Sequence, residues 1–217
     1  MDARVLLVAR DPEGEPPRPE LTGLLGRERA AALEEILLRR VAAWAAEVAP
    51  GSVHLMCESP AAETAVGRIL GDATMLPGHI GEQPARLLQD AVDALFRTGS
   101  EPVLVVWPEL PRWRIEHATG ALGDLADGCD VSVGPVFDGG FYLLALAGPV
   151  PFLGTGPEEG LRSPESMGRM LAAVHAAGLE AGLLRPERGL RREADVRAAL
   201  ADPLLDGELR GVLDSAR

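Results

Sequence analysis

Two acidic residues stand where an open α/β sheet would present them to a ligand. Glu109 follows the apolar run Val103-Leu104-Val105-Val106, in the segment Trp107-Pro108-Glu109-Leu110-Pro111. Asp138 follows a second run, Val131-Ser132-Val133-Gly134-Pro135-Val136, in the segment Phe137-Asp138-Gly139-Gly140-Phe141. Buried strands of such sheets share a carboxyl-end edge where ligands bind, so two strand-end carboxylates predict one pocket. Carboxylates placed there can grip a divalent cation or hold a substrate hydroxyl. Gly139 and Gly140 have no Cβ and would let a ligand approach the backbone closely. Asp-Gly-Gly is also a strong turn sequence in its own right.

A second group of candidates lies after the first strand, Val5 to Ala9. The segment from Arg10 to Pro19 is dense in Pro and Gly and reads as a loop. Arg10, Arg18 and the amides around Gly14 form a candidate phosphate cradle there, at the end of the first strand. Asp11, Glu13, Glu15 and Glu20 make the same stretch net acidic, which opposes a diphosphate. The histidines at 54, 79, 117 and 175 are scattered, with no pair at metal-ligand spacing on one helix face. His79, beside Gly78 and near Gly81, is the one expected in a ligand loop. Trp107 and Trp113 flank the acidic strand end and are read first as packing residues.

Composition narrows the chemistry further. The formal net charge is −12, which argues against a nucleic-acid backbone as partner, because such binding needs a basic face. Every basic side chain is Arg; the sequence contains no Lys. That excludes a P-loop lysine, a lysine Schiff base and a lysine nucleophile. Cys57 and Cys129 are too far apart for a zinc motif and read as buried free thiols of a reducing compartment. No apolar run reaches the length of a membrane span, and the first residues lack the features of a signal peptide. The expected location is the cytoplasm. The charge and composition leave a homo-oligomer open.

The elements that must position these residues follow from periodicity. Strands are expected at 5–9, 53–57, 103–106, 131–136, 142–146 and 179–184. Helices are expected at 28–48, 61–70, 82–97, 112–126, 166–177 and 195–200. Met75 to Gly81 reads as a loop because of Pro77-Gly78. Strands alternating with helices predict an α/β fold: a single three-layer domain over 1–217, with a mostly parallel sheet covered by helices on both faces. Residues 203–217 are expected as a peripheral C-terminal helix.

The block Gly134-Pro135-Val136-Phe137-Asp138-Gly139-Gly140-Phe141-Tyr142-Leu143-Leu144-Ala145-Leu146 resembles the GT-A-like superfamily of nucleotide-diphospho-sugar transferases. More narrowly, it is similar to a bacterial glycosyltransferase-like branch that carries Gly-Pro, then Asp-Gly-Gly-Tyr-Tyr and an apolar strand. Gly81-Glu82, Ser163-Pro164-Glu165 and Gly178-Leu179 agree more weakly, and the match runs in order from about Val5 to Val196. The resemblance implies a GT-A/Rossmann-like fold and transfer of a sugar from a nucleotide-diphosphate donor to an acceptor hydroxyl. It also implies a divalent Mg or Mn ion on Glu109 and Asp138, the same two residues being catalytic. Nucleotide contacts would come from Ala9, Arg10, Gly14, Arg18, His79, Gly139 and Gly140; Arg191 joins them on its own charge, as a replacement for lost positive charge if its segment folds over the pocket.

Three departures qualify that expectation. Relatives end the first loop in Lys-Thr-Arg-Leu, where this chain has Pro17-Arg18-Pro19-Glu20-Leu21. Relatives place Asp before Cys-Pro at the central strand end, where this chain has Glu109-Leu110-Pro111. Relatives carry Asp-Val-Asp near the C-terminus, where this chain has Gly189-Leu190-Arg191, an arginine in place of a carboxylate. The alternatives are therefore a catalytically degenerate member that binds or scaffolds, and a nucleotidyltransferase, which the missing lysine disfavours.

Overall fold

A computed structural model describes residues 3–9, 19–57, 60–70, 74–79, 84–150 and 165–214. The sheet is built from β1 (Arg4–Ala9), β2 (Val53–Cys57), β3 (Thr74–His79), β4 (Val103–Val106), β5 (Val131–Pro135), β6 (Phe141–Leu146) and β7 (Ala181–Leu183). The helices are α1 (Pro19–Leu25), α2 (Arg27–Val48), α3 (Pro60–Leu70), α4 (Pro84–Thr98), α5 (Ile115–Ala126), α6 (Ser166–Ala176), α7 (Glu193–Ala201) and α8 (Gly207–Leu213). Among the described residues the strands form one seven-stranded sheet in the order β3-β2-β1-β4-β6-β5-β7. Only β6 runs against its neighbours, β4 and β5. The mostly parallel α/β sheet expected from the alternation is therefore present.

Strand alternation explains the three layers. Val5, Leu7 and Ala9 face α2, α3 and α5, joining Leu38, Val41, Ala62, Val66, Ala118 and Ala121 in one buried cluster. Leu6 and Val8 face the other way, with Leu88, Val92 and Leu95 of α4 and Met170 and Val174 of α6. α8 lies outside the sheet, but Leu209 and Leu213 are fully buried with α2 and with Val196 of α7.

Register brings the two acidic segments to one edge. Val106 at the end of β4 pairs with Leu143 of β6, and Leu143 pairs in turn with Gly134 of β5. Because β6 is antiparallel, its first residues lie beside the last residues of both β4 and β5. The β5–β6 turn must then sit next to Trp107–Leu110. Gly134 permits this packing: a Cβ there would lie 2.5 Å from Cζ of the buried Tyr142 ring.

One element departs from the sequence reading. Thr74–His79 is an edge strand parallel to β2, not a loop, through His54↔Thr74, Leu55↔Met75 and Cys57↔His79. The register shifts between Leu55 and Cys57, and Pro77-Gly78 falls in that irregularity. Proline is tolerated on an edge strand or at a bulge, where no ladder donor is needed. A local reading of Pro-Gly as a turn cannot register a partner strand. No helix among the described residues is long and apolar enough to cross a membrane.

Candidate functional site at the carboxyl edge of the sheet

Glu109 is placed by a tight reversal after β4. Its N–H donates to the Trp107 carbonyl at 2.8 Å across Pro108, and Trp107 packs edge-on against Phe141 with ring centroids 5.1 Å apart. The Glu109 side chain is almost wholly buried, 1% exposed. Asp138 sits in the turn that joins β5 to β6. Val136 N–H donates to the Gly140 carbonyl at 2.9 Å, and Gly139 N–H donates to the Val136 carbonyl at 3.1 Å. Gly140 N–H donates to Asp138 Oδ1 at 3.3 Å. Gly139 has φ 95°, a left-handed conformation that a side chain would disfavour.

A third segment closes the site. After β7 the chain continues alongside β5, with Val136 bridging Glu187. Glu187 N–H donates to the Pro135 carbonyl at 3.0 Å, and Leu190 N–H donates to the Glu109 carbonyl at 3.0 Å. A Cβ on Gly189 would lie 3.4 Å from that same carbonyl oxygen. The segment so docked delivers Arg191 to both acids. Its Nη1 is 3.0 Å from Asp138 Oδ2 and its Nε is 3.8 Å from Glu109 Oε2. Asp195 fixes the far end, accepting from the backbone N–H of Arg191 at 3.2 Å and of Arg192 at 3.0 Å. It also pairs with Arg188 at 2.9 Å.

The structure thus unites Glu109, Asp138, Gly139, Gly140 and Arg191. Ala9 is buried at the end of β1 and brings only backbone to this edge. His79 ends β3 on the same edge, with β2 and β1 lying between it and β4. Arg10, Gly14 and Arg18 lie outside the described residues, as does the His79 side chain.

The implied divalent ion can be tested against these residues. Two carboxylates and one guanidinium carry a net charge of −1, and the guanidinium already spans both acids. A divalent ion sharing the Asp138 oxygens would lie within about 5 Å of the guanidinium, a repulsion of roughly 7 kcal/mol at an effective dielectric near 20. Among the described residues no three His, Cys, Asp or Glu side chains converge as a ligand set. The residues present do not fit a divalent ion held by Glu109 and Asp138.

Sequence reasoning missed the polar cluster beside this site. Glu187 pairs with Arg114 at 2.5 Å and lies 3.5 Å from His117 Nε2. His117 Nδ1 accepts from Arg114 N–H at 3.3 Å, so a neutral ring carries its proton on Nε2 toward Glu187. Burial pushes the His117 pKa down, against the opposing pull of Glu187. Burial, with the Glu187 charge adding to it, holds the Tyr142 phenol far above its ordinary pKa. His117 stacks near Tyr142 and Trp113, with centroids at 5.2 and 5.6 Å. The available signal was positional: Glu187 follows β7 at the same sheet edge. Phe137, next to Asp138, is 65% exposed with the Arg188 guanidinium 5.2 Å from its ring centre. A cleft of about 250 Å³ lies next to the acidic pair, lined by Leu110, Arg112, Arg114, Arg188, Leu190 and Ala199, among others.

This strand order and edge define a GT-A/Rossmann-like α/β fold. The chain belongs to the family described as "Uncharacterized protein conserved in bacteria (DUF2064)", whose model matches residues 41–155, just over half the chain. A solved structure from Desulfovibrio desulfuricans G20, provisionally assigned as a nucleotide-diphospho-sugar transferase, is 18% identical with a TM-score of 0.74. The alignment covers 98% of this chain and 94% of that one. A cytidylyltransferase from Leptospira borgpetersenii serovar Hardjo-bovis is 10% identical, TM-score 0.56, covering 99% and 93%. A 4-diphosphocytidyl-2C-methyl-D-erythritol synthase is 13% identical, TM-score 0.56, covering 100% and 98%. These TM-scores and coverages establish the shared fold alone. A search of curated proteins finds no significant sequence match.

Proposed function

We propose that this protein is a transferase that binds a nucleotide-diphosphate sugar at the carboxyl edge of its sheet and passes the sugar to an acceptor hydroxyl. The observation that carries the proposal is the convergence of Glu109, Asp138 and Arg191 at that edge. Arg191 is a fixed donor for a phosphoryl oxygen, and Glu109 and the backbone of Gly189 and Leu190 position it. Asp138, at the tip of the turn, is suited to hold a sugar or acceptor hydroxyl. A net −1 triad does not attract a diphosphate by itself, so the donor phosphates need Arg10, Arg18 and the amides around Gly14 as well. The cleft beside Leu110 and Leu190 is the proposed acceptor site, large enough for a small polar molecule. A cytoplasmic location belongs to the same proposal.

Isothermal titration with UDP, GDP, ADP and CDP and their sugar conjugates tests this reading. Saturable heat with at least one, weakened by Arg191→Met, is expected; no heat with any of them sinks it. A second reading is favoured by the ion pairs themselves. Because Arg191 engages both acids, the edge can serve binding without turnover, and such a degenerate member would take up a nucleotide sugar yet release no nucleoside diphosphate. A nucleotidyltransferase would instead release pyrophosphate from a nucleoside triphosphate and a phosphorylated acceptor, which a coupled phosphate assay separates from both.

A further inference from the structure

We propose that Arg191 is the resident cation of this edge and stands in for a divalent metal ion, so that the chain works without one. The inference deepens the transferase reading, although its metal-binding arm does not depend on it. Two strand-end carboxylates, 1% and 11% exposed, need a positive partner. The partner here is covalently part of the chain. Its backbone is tied to Glu109 through Leu190 N–H and to α7 through Asp195. A guanidinium is ionised at every working pH and cannot be chelated away. It offers a planar fork of donors, which suits a phosphoryl group as well as a carboxylate.

The exchange is testable by reversal. Arg191→Asp places a third carboxylate beside Glu109 and Asp138 and removes the charge that repels a metal ion. Titration of the full chain with Mn²⁺ alone is expected to show no wild-type site tighter than about 1 mM, and a gain of at least about 100-fold in R191D, because acidic ligand count sets such affinities. Mn²⁺ should raise the melting temperature of R191D and leave that of the wild type in place. A wild-type protein that binds one Mn²⁺ and loses it in Asp138→Asn or Glu109→Gln overturns the proposal, and this arm holds even where R191D does not fold. A folded R191D with no gain in Mn²⁺ affinity overturns it too. If no nucleoside diphosphate binds the wild type, the transferase reading falls, while the Mn²⁺ titrations still decide the role of Arg191.

Discussion

Replacing Arg191 with methionine is the most informative single perturbation of stability. The change keeps much of the side-chain volume and removes the charge. It leaves Glu109, 1% exposed, and Asp138, 11% exposed, without the cation that spans them. Removing one partner of a buried ion pair costs about 3–5 kcal/mol. Arg191 is itself 21% exposed, so water can enter in its place, and the lower end, about 3 kcal/mol, is expected. For a chain of this size that corresponds to a fall of roughly 6–12 °C in melting temperature. Urea unfolding at neutral pH measures this, and Glu109→Gln with Asp138→Asn in the R191M background should restore most of the loss. An R191M chain within about 1 kcal/mol of wild type would refute the idea that the guanidinium neutralises the acids.

Four further outcomes are expected. Gly134→Ala forces a Cβ to 2.5 Å from the Tyr142 ring and should cost about 1–3 kcal/mol in urea unfolding, as overpacked cores do. Burial lowers the folded pKa of His54 and of His117, so the stability they contribute is complete above pH ~6.5 and falls as pH drops through their folded values; His117→Gln should flatten the His117 share in melts between pH 7 and 5. Asp195→Ala removes the acceptor for Arg191 and Arg192 N–H and should cost about 1 kcal/mol, with weaker donor binding by titration because Arg191 loses its anchor. Phe137→Ala should change stability by less than about 0.5 kcal/mol, since the ring is exposed; loss of nucleotide-sugar affinity in that variant would identify the Phe137–Arg188 stack as a ligand platform.

The sheet was largely legible from local pattern. Val103–Val106 and Val131–Pro135 are short, largely apolar runs, and a run of that kind is buried wherever it pairs. β3 was not legible, because its six residues contain Pro77-Gly78 and become a strand only by pairing with β2. The polar cluster of Arg114, His117 and Glu187 was hidden for a related reason. Its members are ordinary surface residues in sequence and meet only where α5 crosses the segment after β7.

What the amino-acid order determined alone was that Glu109 and Asp138 follow strands, because the period of a strand and the stop of an apolar run are short-range properties. Only the tertiary structure decided that Arg191, 53 residues beyond Asp138, lands against both. That placement comes from an antiparallel β6 and from backbone bonds between Leu190 and Glu109 and between Glu187 and Pro135. Those contacts hold a charge of the opposite sign where the related pattern would put a third acid, and charge balance at so short a range can be set only by the folded chain.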